Sequence, residues 1–406
     1  MRTVRKVFAE PFGAIAALAT CDQPGIRSVC SLPCAHPACR LSGRHSLKMV
    51  LIWRLDFVSK IRILVLGTGN MAANHSRHFQ AAPNVEVVAG VDVDAKRARQ
   101  FGDQHGIKQA FGDLDEAIAW GQFDAAANVT PDKFHHPTTM KLIAAGKHVF
   151  CEKPLAETFP LADEMAAAAN AAGLINMVNL SYRDVPALQT AHVLIADGEI
   201  GEIRHVEASY RQSWLVGNQW GDWKTEPRWL WRLSEKHGSK GVLGDVGIHI
   251  LDFASYAVGM TPVALQAQLA TFRKAPRDKI GDYPLDANDS AVMSVRFENG
   301  ALGVIHASRF MTGYANTLKL AVFGTRGAIE IDHGPFTSLR VCSGDDVHNQ
   351  AWRDLNAVPV LTNYQRFVAA IESGKNAEPD FRHAANLQRV IDRCYDGDAG
   401  FAPPIG

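Results

Sequence analysis

Three polar side chains, drawn from two stretches far apart in the chain, could together oxidise an alcohol. Lys153 stands in the segment Glu152-Lys153-Pro154, whereas Asp245 and His249 stand four residues apart in a second segment. Oxidation removes the hydroxyl proton as hydride leaves the carbon, and the pKa of histidine suits that proton transfer. A lysine ammonium can hydrogen-bond the same oxygen and stabilise its developing charge. We therefore predict that Lys153, Asp245 and His249 are catalytic and contact the substrate.

Each of these residues also has an ordinary structural interpretation. Lys153 could be a surface lysine at a strand end, Asp245 a helix cap, and His249 a core histidine bonded to the backbone. Residues four apart face one side of a helix, which favours a shared role for Asp245 and His249. We reject zinc binding by this pair and Cys151, because no third ligand has suitable spacing, and predict no metal.

A glycine-rich turn, Gly67-Thr68-Gly69-Asn70-Met71-Ala72, follows an apolar run and opens a predicted helix. Its pattern, G-x-G-x-x-A, is typical of a dinucleotide-binding turn in that position. The first glycine makes the tight turn, the second lets the backbone approach a pyrophosphate, and the small sixth residue permits close helix–strand packing. The free N–H groups of the helix N-terminus attract phosphate. The cofactor contacts predicted here are Gly67, Gly69, Asn70 and Met71.

A carboxylate at the end of the second predicted strand indicates which dinucleotide binds. Asp92 lies 25 residues after Gly67, where it can accept hydrogen bonds from the adenosine ribose and repel a 2′-phosphate. This position favours NAD over NADP. Lys96 and Arg97 follow closely and keep NADP possible.

Residues 61–172 alternate between apolar runs and helical patterns, which indicates a parallel, doubly wound sheet. The predicted strands are Ile61–Leu66, Val85–Val91, Asp124–Val129 and His148–Cys151, and the predicted helices are Asn70–Gln80, Asp94–Gly106, Lys133–Ala145 and Pro160–Ala172. Beyond residue 180, longer alternating runs follow one another without helices between most of them. Glu298-Asn299-Gly300 is a strong hairpin signal between two of these runs. We predict an α/β plus α+β protein, in which a Rossmann domain precedes an α/β domain with an open, mostly antiparallel sheet.

Four motifs occur in order and together resemble the glucose–fructose oxidoreductase/inositol dehydrogenase/rhizopine-catabolism (Gfo/Idh/MocA) family. They are the dinucleotide turn, the T-P-x-x-x-H segment from Thr130 to His135, A-G-K-H-V-F-C-E-K-P from Ala145 to Pro154, and G-V-L-G-D-V-G-I-H-I-L-D from Gly241 to Asp252. The resemblance runs from about Ile61 to the C-terminus. It implies a Rossmann domain over residues 59–179 and a substrate-binding and oligomerisation domain with C-terminal helices over residues 180–406.

The resemblance also implies roles for individual residues. In that family the lysine of E-K-P lies beside the nicotinamide and the substrate hydroxyl, and this role carries over to Lys153. Tyr182 and Arg183 match the segment that enters the second domain and are expected to reach the substrate. The further cofactor contacts expected on this basis are Thr130, Pro131, His135, Glu152 and Lys153. The alternatives are that His135 caps its helix and that Glu152 caps the strand end.

Tryptophan is concentrated just before the second motif, and five of the eight tryptophans are Trp214, Trp220, Trp223, Trp229 and Trp231. Indole faces suit the apolar faces of sugar rings, so we predict that Trp231 contacts a sugar or polyol substrate. The alternative is a loop core or an oligomer interface, where tryptophan is also enriched. Two departures from the family pattern, Asp132 for asparagine and Ser239-Lys240-Gly241 for triple glycine, leave the substrate open.

Composition excludes several classes of protein. Basic and acidic residues number 42 each, so the chain lacks the positive surplus that nucleic-acid binding needs. The sequence contains no apolar run of 18 residues, so we predict no membrane span. Scattered cysteines in the main body are typical of a reducing compartment, so we expect a cytoplasmic protein. Residues 1–58 contain four cysteines without a zinc-knuckle spacing and are predicted to be a disordered or non-native extension, with a metal site as the alternative.

The favoured hypothesis is an NAD(P)-dependent oxidoreductase that acts on a sugar, an inositol or a sugar-derived polyol. A glycosidase that oxidises its substrate transiently with bound NAD, and a non-catalytic NAD/sugar sensor, are the alternatives. The open sheet should leave one face without helical cover, as the run Val292, Ser294, Val295 and Arg296 suggests. We expect that face to form a homodimer or homotetramer.

Overall fold

The computed structural model describes residues 60–396. The predictions made for residues 1–58, an extension or a metal site, therefore lie outside the described residues. Within the described range, none of the helices is both long and apolar enough to cross a membrane. Two large sheets and the helices packed on them make up this part of the chain.

The first sheet has six parallel strands in the order β3-β2-β1-β4-β5-β6. Its strands are β1 (Ile61–Leu66), β2 (Val85–Val91), β3 (Gln109–Phe111), β4 (Ala125–Asn128), β5 (His148–Cys151) and β6 (Asn176–Val178). The helices between them are α1 (Ala72–Gln80), α2 (Ala95–His105), α3 (Leu114–Trp120), α4 (Asp132–Ala144) and α5 (Phe159–Ala171). Alternate residues of β1 enter two different hydrophobic clusters, because both faces of a parallel sheet are buried.

The second sheet has eight strands in the order β16-β15-β14-β13-β7-β12-β11-β8. The strands that follow β6 are β7 (Ile203–Arg211), β8 (Ala264–Ala270), β9 (Lys279–Ile280), β10 (Tyr283–Pro284), β11 (Ser290–Arg296), β12 (Leu302–Ser308), β13 (Thr317–Gly324), β14 (Gly327–His333), β15 (Thr337–Ser343) and β16 (Arg353–Asp354). β9 and β10 form a separate small hairpin. Only β7 and β12 pair in parallel within the large sheet. The predicted fold class is thus confirmed.

Helices cover one face of the second sheet. The later helices are α6 (Pro186–Ala196), α7 (Pro227–Leu230), α8 (Ile248–Val258), α9 (Asp346–Asn349), α10 (Asn363–Ser373) and α11 (Phe381–Tyr395). α8 is almost entirely buried, and with α6 and α11 it packs on the inward side chains of the strands in one large cluster. Of the run predicted to mark the uncovered face, Val295 belongs to the covered face, because alternate residues of β11 point to opposite faces.

The uncovered face of the second sheet has two parts. Val292, Leu302 and Val304 are exposed on neighbouring strands β11 and β12. Toward β13, β14 and β15, the same face carries ion pairs such as Lys319–Asp332 and Arg340–Glu330. The face is therefore apolar at one end and charged at the other.

α10 departs from the predicted division of the chain, which assigned both C-terminal helices to the second domain. Tyr364 and Phe367 lie in the cluster beneath the first sheet. Their ring centroids are 5.0 Å and 5.4 Å from that of Phe150, and Phe79 lies 5.0 Å from Tyr364. The chain thus returns from the second sheet to complete the core of the first.

Candidate functional site

The glycine-rich turn joins β1 to α1 with the expected geometry. Gly67 has φ +86°, and a Cβ there would lie 2.8 Å from the carbonyl oxygen of Val129, so only glycine fits. A Cβ at Gly69 would meet nothing within 4 Å, and Asn70 and Met71 are exposed beside it. No side chain among the described residues caps α1, and the N–H groups of Ala72 and Asn74 bond to the carbonyl oxygens of Gly69 and Met71. The turn therefore fits the pyrophosphate of a dinucleotide.

Asp92 is held at the end of β2 by five hydrogen bonds from three residues. Thr68 donates through its N–H and hydroxyl (both 2.9 Å), Asp94 through its N–H (2.9 Å), and Arg97 through Nε (3.0 Å) and Nη2 (2.5 Å). Burial alone would raise the pKa of Asp92, but these hydrogen bonds lower it to about 2. Asp92 is therefore a permanent anion at the position predicted for the ribose, with Arg97 already bound to it.

Glu152, at the end of β5, forms a second buried anion. It lies 2.7 Å from Nε2 of His75 and accepts hydrogen bonds from Asn179 Nδ2 (2.7 Å) and the Lys153 N–H (3.2 Å). Burial opposes ionisation, but His75 and Asn179 lower the pKa of Glu152 to about 2. The carboxylate therefore fixes the backbone of Lys153, whose bond to Pro154 is cis.

His135 connects the two loops that follow β4 and β5. Its ring nitrogens lie 2.7 Å from the carbonyl oxygen of Pro154 and 2.8 Å from that of Thr130. An imidazole that donates to two carbonyls carries a positive charge, and although burial opposes it, neighbouring groups raise the pKa of His135 to about 10. His135 thus holds Thr130 and Pro131 in place instead of offering a free ring nitrogen to a cofactor.

Lys153 and Asp245 meet at the junction of the two sheets. Nζ of Lys153 donates to the carbonyl oxygen of Asp245 (2.9 Å) and lies 3.5 Å from Oδ1. The carboxylate also accepts a hydrogen bond from Arg309 (3.1 Å), and Nε of Arg232 lies 3.9 Å away. Burial would raise the pKa of Asp245, but the three cations hold it far below its usual range. Asp245 therefore stays a carboxylate and orients the cations around it.

His249 lies one turn further along, where the π-helical turn Leu243–Gly247 leads into α8. It is 8% exposed, and its Nδ1 has no hydrogen-bond partner among the described residues. Burial, followed by the charge of Lys153, lowers the pKa of His249 to about 3. The imidazole is therefore neutral at physiological pH and can accept a proton.

Lys153, Asp245 and His249 line one crevice of about 730 Å³. The predicted site residues in its wall are Met71, Lys153, Tyr182, Asp245 and His249. The Tyr182 hydroxyl lies 2.5 Å from that of Tyr210, which donates to Asn316 Oδ1 (2.6 Å), so hydroxyl and amide groups converge beside the imidazole. Two stretches some ninety residues apart thus supply neighbouring groups.

Two predicted substrate contacts lie outside this wall. Arg183 is buried and stacks over the ring of Tyr256 at 3.8 Å. It donates to Asp252 (2.8 Å), since a buried guanidinium needs a paired anion. We assign it to a structural ion pair. Trp231 packs against Arg232 outside the wall, and Trp214, Trp220 and Trp229 line the crevice instead. Within residues 60–396, no three His, Cys, Asp or Glu side chains are grouped to hold a metal ion.

Several functional candidates escaped sequence reasoning. Tyr210 and Asn316 lie on or beside strands whose alternation gives no sign of chemistry, and Arg232 and Arg309 belong to no motif. His75 lies in the helix that begins at the glycine-rich turn. Its position one turn after Met71 was the sequence signal that could have identified it as a site residue. The others are brought to the site by tertiary packing alone.

Comparison with known proteins agrees with this geometry. The model of the oxidoreductase family with an NAD-binding Rossmann fold matches residues 61–180, and that of the GFO/IDH/MocA C-terminal domain matches residues 188–330. Levoglucosan dehydrogenase of Pseudarthrobacter phenanthrenivorans is 27% identical over 317 residues, 71% of this chain and 78% of that protein. The 1,5-anhydro-D-fructose reductase of Ensifer adhaerens is 30% identical over 247 residues, 60% of this chain and 67% of that protein.

A solved structure agrees at the level of the whole fold. Levoglucosan dehydrogenase in complex with NADH and L-sorbose superposes with a TM-score of 0.73 at 25% identity, covering 83% of this chain and 96% of that one. The predicted cofactor, NAD, is confirmed by the NAD-binding Rossmann match. The chain therefore belongs to the GFO/IDH/MocA family of NAD-dependent oxidoreductases, whose members include dehydrogenases of sugars and polyols.

Proposed function

We propose that this protein transfers hydride between NAD and a hydroxyl-bearing carbon of a sugar or polyol, with Lys153 and His249 in proton transfer. The observation that carries the proposal is that Lys153, Asp245 and His249 line one crevice although two distant stretches supply them. Bound NAD supplies the hydride acceptor, and the turn at Gly67 and Gly69 together with Asp92 would hold its dinucleotide part.

The residues of the crevice divide the remaining work. The Lys153 ammonium, fixed by the Asp245 carbonyl and carboxylate, hydrogen-bonds the substrate oxygen and stabilises the negative charge that develops on it. The neutral imidazole of His249 accepts the hydroxyl proton. Tyr182 bonds a neighbouring hydroxyl and positions the ring, since burial raises the pKa of its phenol and keeps it a donor. Asp245 does not titrate and serves to orient the cations.

A polyol panel tests this assignment. The protein is incubated with NAD and one compound of the panel: myo-inositol, glucose, galactose, levoglucosan, or an acid derived from glucose or galactose. The formation of NADH is followed by its absorbance. We expect steady NADH formation with at least one polyol. Hydrolysis of an aryl glycoside without net NADH would support the glycosidase instead, and binding without either reaction would support a sensor.

A matched pair of lysine variants tests the role of Lys153. Lys153→Met should lower kcat about 10²–10³-fold, because one donor to the developing oxyanion is lost, while NAD affinity changes little. Lys141→Met is the control, since that lysine pairs with Asp115 on the exposed surface of α4. Equal activity of the two variants would remove Lys153 from the mechanism.

We further propose that the uncovered face of the second sheet pairs with a second copy of the chain. The support is the exposed group Val292, Leu302 and Val304, of which Val292 is 45% exposed. Light scattering at micromolar concentration should give the mass of a dimer or tetramer. Val304→Lys should shift that mass toward the monomer, and a monomeric wild type would contradict the proposal.

A further inference from the structure

The crevice holds more positive than negative charge around Asp245. One carboxylate faces Lys153, Arg232 and Arg309 within 3.9 Å. Arg309 is fully buried, so its charge cannot be neutralised by solvent. Three cations around a single anion in a cleft of low dielectric repel one another unless a further anion joins them.

Among the described residues, no carboxylate other than Asp245 pairs with Arg232 or Arg309. Asp289, the next carboxylate toward Arg309, is already paired with Lys274 at 2.5 Å, and both side chains are buried. Asp132 and Glu152 act on the charge of Lys153, and Glu152 is already hydrogen-bonded to His75 and Asn179. Glu226 pairs with Arg228 at 2.5 Å. The surplus positive charge therefore faces the crevice.

Arg232 is the member of the three that is placed to bind a ligand. Nη1 donates to the Arg228 carbonyl (2.7 Å), and the guanidinium lies over the rings of Trp231 (4.5 Å) and Trp229 (5.4 Å). Its side chain is 31% exposed, and within residues 60–396 no group accepts a hydrogen bond from Nη2. The guanidinium is thus fixed in orientation while one edge stays open to the crevice.

Aromatic faces continue the same wall. The ring centroids of Trp214 and Trp229 are 5.4 Å apart, and Trp220 stacks on Trp229 at 6.0 Å. Flat indole faces accept the C–H face of a sugar ring, and an arginine at the edge of such a face meets a substituent on the ring. The wall therefore combines a surface for a ring with a cation for its substituent.

We propose, resting on the proposed function, that the substrate is a sugar acid and that Arg232 binds its carboxylate. The ring lies along the tryptophans, the hydroxyl to be oxidised reaches Lys153 and His249, and the carboxylate lies against the open edge of Arg232. The bidentate geometry of a guanidinium matches a carboxylate, which a neutral sugar cannot exploit. Arg232 is then the residue that determines specificity.

Pairs of substrates that differ only in the acid group test this assignment. We measure kcat/KM with saturating NAD for D-glucuronate against D-glucose and for D-galacturonate against D-galactose. The acid of each pair should be preferred at least about 10-fold, in line with a hydrogen bond to a charged group. Arg232→Gln should lower kcat/KM for the acid about 10–100-fold more than kcat/KM for the neutral sugar, and remove most of the salt dependence.

The controls separate this inference from the proposed function. Arg204→Gln removes the same charge from an exposed pair with Glu202 and should change neither value. An equal loss on acid and neutral sugar in Arg232→Gln, or a neutral sugar preferred by the wild type, overturns the inference and leaves the oxidoreductase intact. Tryptophan fluorescence titration of the NADH complex with D-glucuronate and D-glucose reports binding without turnover. Tighter binding of the acid supports the inference even where no oxidation occurs, and equal or absent binding overturns it.

Discussion

The two sides of the crevice are built on different principles. On the side of the first sheet, backbone turns form the surface and each buried anion has its own partners, as Asp92 has Arg97, and Glu152 has His75 and Asn179. On the side of the second sheet, side chains from separate elements form the surface, and cations outnumber carboxylates around Asp245. The first side suits one unchanging ligand. The second presents side-chain charge, so single substitutions there should change which ligand binds.

A glycine pair tests how strictly backbone shape defines the first side. Gly67→Ala should lower the free energy of unfolding by about 2–5 kcal/mol and abolish NAD binding, since the φ is positive and a Cβ would meet the Val129 carbonyl. Gly106→Ala has a similar φ of +69° but open space around its Cβ, so it should lose only about 1–2 kcal/mol and keep NAD binding. Urea unfolding and NAD titration measure both, and equal losses would show that φ alone matters.

His249 should show its lowered pKa in the pH dependence of turnover. An imidazole whose pKa lies near 3 is neutral above about pH 4, so kcat/KM should show no histidine limb between about pH 5 and 8. His249→Gln should lower kcat/KM about 10²–10⁴-fold across this range. An acid limb near pH 6.5 that is present in the wild type and absent from the variant would show that His249 titrates there. That result would contradict a neutral, buried imidazole.

Asp92 and Arg97 should set the choice between NAD and NADP. Asp92→Ala removes the anion and frees the Arg97 guanidinium for a 2′-phosphate, so the ratio of kcat/KM for NADP to that for NAD should rise about 10–100-fold. The double variant with Arg97→Gln should lose most of that gain. A ratio unchanged in Asp92→Ala would mean that the ribose is bound elsewhere.

The smallest effect is expected from one hydroxyl on the second side. Tyr210→Phe removes the hydroxyl that bonds both Tyr182 and Asn316, which stay joined to each other through Asn316 Nδ2, and should raise the KM for the polyol about 2–10-fold with kcat nearly constant. Tyr256→Phe is the matched control, because that hydroxyl donates to Gln189 away from the crevice. A change in kcat as large as that in KM would place Tyr210 in proton transfer.

Local patterns predicted the first side well because its determinants are consecutive in sequence. β1 and β2 have the predicted bounds, and Asp94 caps α2 through its neighbours' N–H groups. Short or polar elements were missed, such as β3, which has three residues, and β15, whose T-S-L-R-V-C-S run is half polar. The π-helical turn at Asp245 also replaced the expected regular helix. Its cause is not visible in the local sequence.

The second side could be predicted only where a motif marked it. Lys153, Asp245 and His249 were found through motifs, and their convergence follows from the fold. Arg309 reaches Asp245 from 64 positions away and reaches Arg232 from 77 positions away, and no periodicity gives a signal for such packing. Arg183 was assigned to the substrate because Tyr182 and Arg183 match the family segment that enters the second domain, yet the two side chains point into different environments.

The return of α10 to the first sheet has a consequence for dissecting the enzyme. A fragment that stops after β6 would expose the surfaces of Phe79 and Phe150 against which Tyr364 and Phe367 pack. Such a fragment carries the whole glycine-rich turn yet lacks part of the wall that supports it. A fragment that contains only the first sheet and its helices should therefore aggregate when it is expressed alone. A rearranged fragment in which residues 363–373 are joined to that part of the chain should stay in solution.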